Sequence, residues 1–161
     1  MQRRYGETND EVILVPLRPR RLTQTTFGWP DGNCLETAWA MLLDAPIGSL
    51  PDPRRWADGA GASLGRRALP LREPLIARHL RAVYGLDLVE GPGPAPDFAP
   101  DFYWIGSGVS PRPGPQGAVL HHAVVMRSRR GRPAVWHDPH PSQDGLRTID
   151  GWELPAEPPC R

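Results

Sequence analysis

From residue 34 onward apolar side chains return every three or four positions, at Leu35, Ala38, Trp39, Leu42 and Leu43. That is the spacing of a helix that buries one face. The Asp-Gly-Asn ahead of it offers a turn and an Asn cap, and Pro46 closes it. A second run with the same period covers residues 71–84, with Leu75, Ile76, His79, Leu80 and Val83 on one side and Gly85 as its stop. His79 lies within that apolar face and reads as a packed core residue. Beyond residue 100 the pattern changes to short apolar runs at 102–105, 119–126 and 134–138, which predict strands. The polar connector SRRGRP, with its central Gly, predicts a hairpin turn between the last two. Residues 12–17 read as one more strand, and 22–24 and 152–154 as edge strands. Between the patterned segments, the Gly-, Pro- and Arg-rich stretch after Pro46 predicts a short helical turn and then a flexible loop over 51–70; GPGPAPDFAP predicts irregular chain. Helices come first and strands second, without internal repeats, which predicts an α+β fold of N-terminal helices packed on an antiparallel β-sheet.

Length and charge narrow the partners rather than the fold. A chain of 161 residues fits one domain, 1–161, with residues 1–22 as an N-terminal arm carrying an edge strand and the basic RPRR patch. Nineteen Lys and Arg against eighteen Asp and Glu leave no overall field to draw nucleic acid or an anionic membrane. The first residues lack the apolar core of a signal peptide, no run approaches the length of a membrane span, and two cysteines are too few for a disulfide framework. The expectation is a cytoplasmic protein with two thiols, no nucleic-acid or membrane partner and no cofactor.

One of those thiols, Cys34, opens the first helix. A thiol is a nucleophile when ionised, and a helix N-terminus favours the thiolate through its unpaired N–H groups and dipole. Gly32 and Asn33 allow a tight turn that would admit a substrate carbonyl to the thiol and to the Cys34 N–H. Such a thiolate needs a base that later protonates the leaving group, and imidazole suits both tasks. His121 and His122 open the strand HHAVVM and face opposite sides, so only one of them can meet Cys34. Asp138, across the hairpin, can stand beside His122 and fix its tautomer. Trp29 and Trp136 flank these segments and are candidates to wall a substrate cleft, and Asn33 is a further candidate to bind substrate.

The order Cys, His, Asp, with a Gln upstream of the helix-starting Cys, resembles the papain-like cysteine peptidase superfamily, the double-glycine leader peptidase type in particular. QTTFGWPDGNCLETAWAMLLDAP, SGVSPRPG, HHAVV and HDPHPSQDGL are similar to small bacterial and phage proteins of that superfamily. The resemblance covers about half the chain. It implies a papain-like fold in which Cys34 is the nucleophile, His122 the base, Asp138 the orienting acid and Gln24 a donor to the oxyanion beside the Cys34 N–H. The implied activity is hydrolysis of a peptide, isopeptide or amide bond in a peptide, protein or small amide substrate, through a thioester acyl-enzyme.

The same triad would serve an acyltransferase, a transglutaminase or a deamidase, and a papain-like shape without catalysis would serve a binding module. A metal site built from His121, His122, His137, Asp138 and His140 is disfavoured, because no HExxH or CxxC spacing is present. His137 and His140 read as residues that flank the cleft or cap the DPHPS turn, and Ser142 lies in a turn rather than a nucleophile elbow. Cys160, the penultimate residue of the sequence, reads as an exposed bystander.

Overall fold

The computed structural model describes residues 2–7, 11–27, 32–51 and 72–160. Trp29 and nearly all of the loop expected at 51–70 lie outside these residues. The described chain is α+β, with few helices and a mostly antiparallel sheet. In order come β1 (Gln2–Arg4), β2 (Ile13–Leu14), α1 (Cys34–Leu42), a 3₁₀ turn (Ile47–Ser49), and α2 (Arg72–His79) continuing as a π turn (Leu80–Tyr84). Then follow β3 (Asp87–Pro92), β4 (Asp101–Val109), β5 (His121–Arg129), β6 (Arg132–His137) and β7 (Gly151–Glu157).

The strands form a seven-stranded sheet in the order β1-β3-β7-β4-β5-β6, with β2 also on β7. β1 runs parallel to β3, and the remaining neighbours are antiparallel. β7, expected at an edge, is instead interior: β3 and β4 pair with its two backbone edges, while its buried Trp152, Leu154 and Ala156 pack on one face of the sheet. The strand expected over 12–17 shrinks to Ile13–Leu14, and 22–24 form no strand. The Gly91–Pro92 end of the stretch expected to be irregular belongs to β3, whose run Asp87–Pro92 escaped the pattern. Arg130 and Gly131 make the hairpin between β5 and β6 with positive φ angles of 51° and 74°, the two-residue turn that suits the strands' twist.

Two cores lie on opposite faces of the sheet. Ile105, Ala123 and Val125 pack with α1 and with Ile76 and Leu80 of α2. Trp104, Val124 and Met126 pack with Phe102, Trp152 and Leu154 on the other face. The strict alternation along β4 and β5 follows from the two-residue repeat of a strand. α1 is buried almost all round, from Glu36 to Leu42, rather than along one stripe, and Trp39 donates from Nε1 to Glu153 Oε1 at 2.7 Å. α2 also departs from its expected face. Ile76, Ala77 and Leu80 are buried, but Val83 is exposed, because the π turn winds more residues per turn and rotates it out of the stripe. Gly85 ends that turn in the left-handed conformation, at φ 68°.

Candidate active site

Cys34 is the first residue of α1 and His122 the second of β5, so both stand at element ends, where backbone and side chain border open space. His122 is almost wholly buried and Asp138 wholly so. His122 Nε2 meets Asp138 Oδ1 at 2.6 Å, which leaves Nδ1 for the imidazole's other partner, the Cys34 thiol. Burial alone would push His122 down. The hydrogen bonds to Asp138 and Cys34 and the negative charge on both outweigh it, and the imidazole is raised from 6.5 to about 9. For Asp138, burial pulls upward, but the hydrogen bonds from His122, the His140 N–H and the Gly145 N–H, together with the His122 charge, hold the carboxyl below its ordinary range. The site therefore favours the charged form of both groups, an imidazolium against a carboxylate.

The carboxylate sits just past a bulge. β5 and β6 pair Met126 with Val135 but Val125 with His137, so Trp136 has no partner. Asp138 follows directly on β6, and its carboxylate meets His122 rather than His121, which is exposed. Past the strand the chain wraps back on the carboxylate. The backbone N–H groups of His140 and Gly145 donate to Oδ1 and Oδ2 at 2.8 Å each, and Gln143 Nε2 donates to the Asp138 carbonyl.

Gln24 reaches this site despite its ten-residue separation from Cys34. Its backbone N–H donates to the Pro139 carbonyl, beside Asp138, at 2.9 Å. Its side chain is buried, lines the cleft, and donates from Nε2 to the Thr26 carbonyl. The intervening chain is clipped to the start of α1 by Asn33, whose Oδ1 accepts from the N–H groups of Thr25 and Thr26 at 3.1 Å each and whose Nδ2 donates to Thr25 Oγ1. Asn33 thus corrects two expectations. It stands at the helix cap position but makes no side-chain cap bond, and, expected to bind substrate, it lies outside the cleft lining with its amide engaged by the Gln24 segment. Trp136 is likewise not a cleft wall: it packs edge-on against Tyr103 beneath the Arg21 guanidinium, outside the cleft lining.

The cleft itself holds about 1020 Å³, and its lining includes Gln24, Gly32, Cys34, Arg112, His122 and His140. Glu7, Glu90, Trp152 and Glu153 line it as well. His140 both flanks the cleft and caps its turn, since its Nδ1 accepts from the Ser142 N–H. His137 instead turns to the Leu22 carbonyl. Among the described residues no group of three or more His, Cys, Asp or Glu is arranged to hold a metal ion, and no helix is long and apolar enough to cross a membrane. Cys34 is half-buried, Cys160 is exposed and both are free thiols. Arg112, Gln143 and Gly145 were not legible as site residues; the only signal was the turn-forming composition of SPRPG and DPHPSQDG around them. No protein-family model matches the chain, and no curated protein or solved structure matches it.

Proposed function

We propose that the protein is a cysteine-dependent hydrolase of papain-like type, acting on a peptide, isopeptide or amide bond through a thioester acyl-enzyme. The observation that carries this reading is the imidazole of His122, held between the buried carboxylate of Asp138 and the thiol at the start of α1, inside a cleft large enough for a peptide. A helix led by the nucleophile, set against an antiparallel sheet that carries base and acid, is the architecture the reading requires.

In this mechanism the Cys34 proton passes to His122 Nδ1 and the thiolate attacks the carbonyl carbon. The new oxyanion is held by the Cys34 N–H, one of the N–H groups that a helix start leaves without an intrahelical partner, and by the Gln24 amide. His122 then protonates the departing nitrogen as the C–N bond breaks, leaving a thioester. Water, deprotonated by His122, releases the acid and restores the thiol. Asp138 remains ionised throughout and holds the ring in orientation.

Exposure to p-nitrophenyl acetate and intact-mass measurement of the protein tests the reading. The expected result is an acyl adduct on Cys34 that decays with turnover and is missing in Cys34→Ser. Absence of an adduct, or one confined to Cys160, overturns it.

A further inference from the structure

Arg112 stands in the cleft wall next to His140, and its guanidinium is held from one corner only. Nη1 donates to Ser142 Oγ at 2.7 Å and lies 3.6 Å from Asp144 Oδ2 and 3.8 Å from Asp138 Oδ2. Its own backbone N–H donates to Ser110 Oγ at 3.2 Å, which fixes the main chain from which the side chain springs. Nε and Nη2 make no hydrogen bond or ion pair with a described residue. The side chain is 23% exposed and lines the cleft, so the guanidinium is partly shielded from water.

The neighbouring carboxylates do not quench the charge. Asp138 already serves His122 and the His140 and Gly145 N–H groups, and Asp144 is half exposed, where ion pairs are worth little. The charge is felt within the cleft: His140 is held below its ordinary range by burial first and by Arg112 second. The lining also carries Glu7 and Glu90, both paired with Arg4, and Glu153, bonded to Trp39. An anionic group on a ligand is repelled by these carboxylates and accepted beside Arg112.

We propose that Arg112 is a specificity-determining residue that reads a carboxylate on the substrate with its free Nε–Nη2 edge while Cys34 attacks the scissile carbonyl. A planar fork of two N–H groups matches a carboxylate in a way that a point charge does not. The contacts Arg112–Asp138, Asp138–His122 and His122–Cys34 form an unbroken chain along one cleft, so a carboxylate read by Arg112 belongs to the same molecule that Cys34 attacks. It is either an acidic side chain or a chain terminus. The inference rests on the thiol-acyl reading of the site and adds the substrate class to it.

Three alkylating probes separate the possibilities: iodoacetyl-glutamate amide, with a side-chain carboxylate; iodoacetyl-glutamine, with a terminal one; and iodoacetyl-glutamine amide, with neither. At sub-saturating concentration one carboxylate probe is expected to label Cys34 about tenfold faster than the neutral probe, as a charge-assisted hydrogen bond would give. Which one does so identifies the source. Arg112→Gln should abolish the preference, and Arg112→Lys should retain only part of it. Equal rates for all three probes on the wild-type protein overturn the inference, as does a preference that survives intact in Arg112→Gln or Arg112→Lys. If Cys34 reacts faster than Cys160 but without discrimination, the inference fails and the thiol-acyl reading stands. If Cys34 is no faster than Cys160 with any probe, both fail.

Discussion

Asp138 Oδ1 lies 2.6 Å from His122 Nε2, just past the end of β6. The backbone N–H groups of His140 and Gly145 donate to the same carboxylate and hold it charged. Asp138→Asn keeps the volume but removes the charge that draws a proton to His122. The expected effect is a loss of at least ~100-fold in kcat, the scale of general acid–base catalysis. A stability loss of about 1–3 kcal/mol should accompany it, because an amide cannot accept every bond the carboxylate does. Steady-state rates and a urea midpoint check the two effects separately.

The raised imidazole sets a pH limit. With His122 at about 9, the imidazolium that protonates the leaving group is depleted as pH climbs through that value, so kcat/KM for an amide substrate should fall on an alkaline limb near 9. Alkylation of Cys34 by neutral iodoacetamide needs no such proton and should not fall there. The stability linkage has the matching sign. A group raised on folding contributes fully below its unfolded value, 6.5, and loses that contribution as pH rises to about 9. Asp138, lowered on folding, contributes above its ordinary 3.8 and loses that contribution as pH falls below it. The Tm difference between wild type and Asp138→Asn should therefore be widest between about 4 and 6.5 and shrink on both sides.

Gln24→Ala should lower kcat about 100-fold if the amide steadies the oxyanion, with a smaller change in KM. Asn33 gives an independent handle on the same segment. Asn33→Ala removes three hydrogen bonds to Thr25 and Thr26 while leaving every proposed reacting group in place. It should reduce kcat and destabilise by about 1–3 kcal/mol, and Asn33→Asp, which keeps the two acceptor bonds, should recover part of both. Kinetics and thermal melts on the two variants test this.

Gly108 faces His122 across the ladder and admits no side chain. A Cβ there would lie 1.9 Å from the Thr148 carbonyl oxygen, in the strap that returns to β4 through Val109, Arg147 and Asp150. Gly108→Ala should cost about 3 kcal/mol or more, read as a lowered urea midpoint, since the clash is with backbone rather than a movable side chain.

The helix from Cys34, the hairpin at Arg130–Gly131, the stop at Gly85 and the three strand runs after residue 100 were legible because each rests on local periodicity or turn chemistry. β1 and β3 were not, since their few residues gain stability from parallel pairing with each other and from β7, a relation across some 85 residues that no local pattern records. The exposure of Val83 depends on a π turn, a one-residue slip that leaves composition and period nearly unchanged. Arg112 was hidden for a different reason. A lone Arg between two prolines looks like surface until the fold sets it against Asp138.

Relative alkylation of the two thiols tests the central claim most directly. At about pH 6 an ordinary thiol, with a pKa of about 8.5, is almost wholly protonated and slow to react. Cys34, paired with the His122 imidazolium, should be carboxamidomethylated by iodoacetamide many times faster than exposed Cys160 at that pH, and the advantage should vanish in His122→Ala. Equal rates for the two cysteines in the wild-type protein would contradict the account.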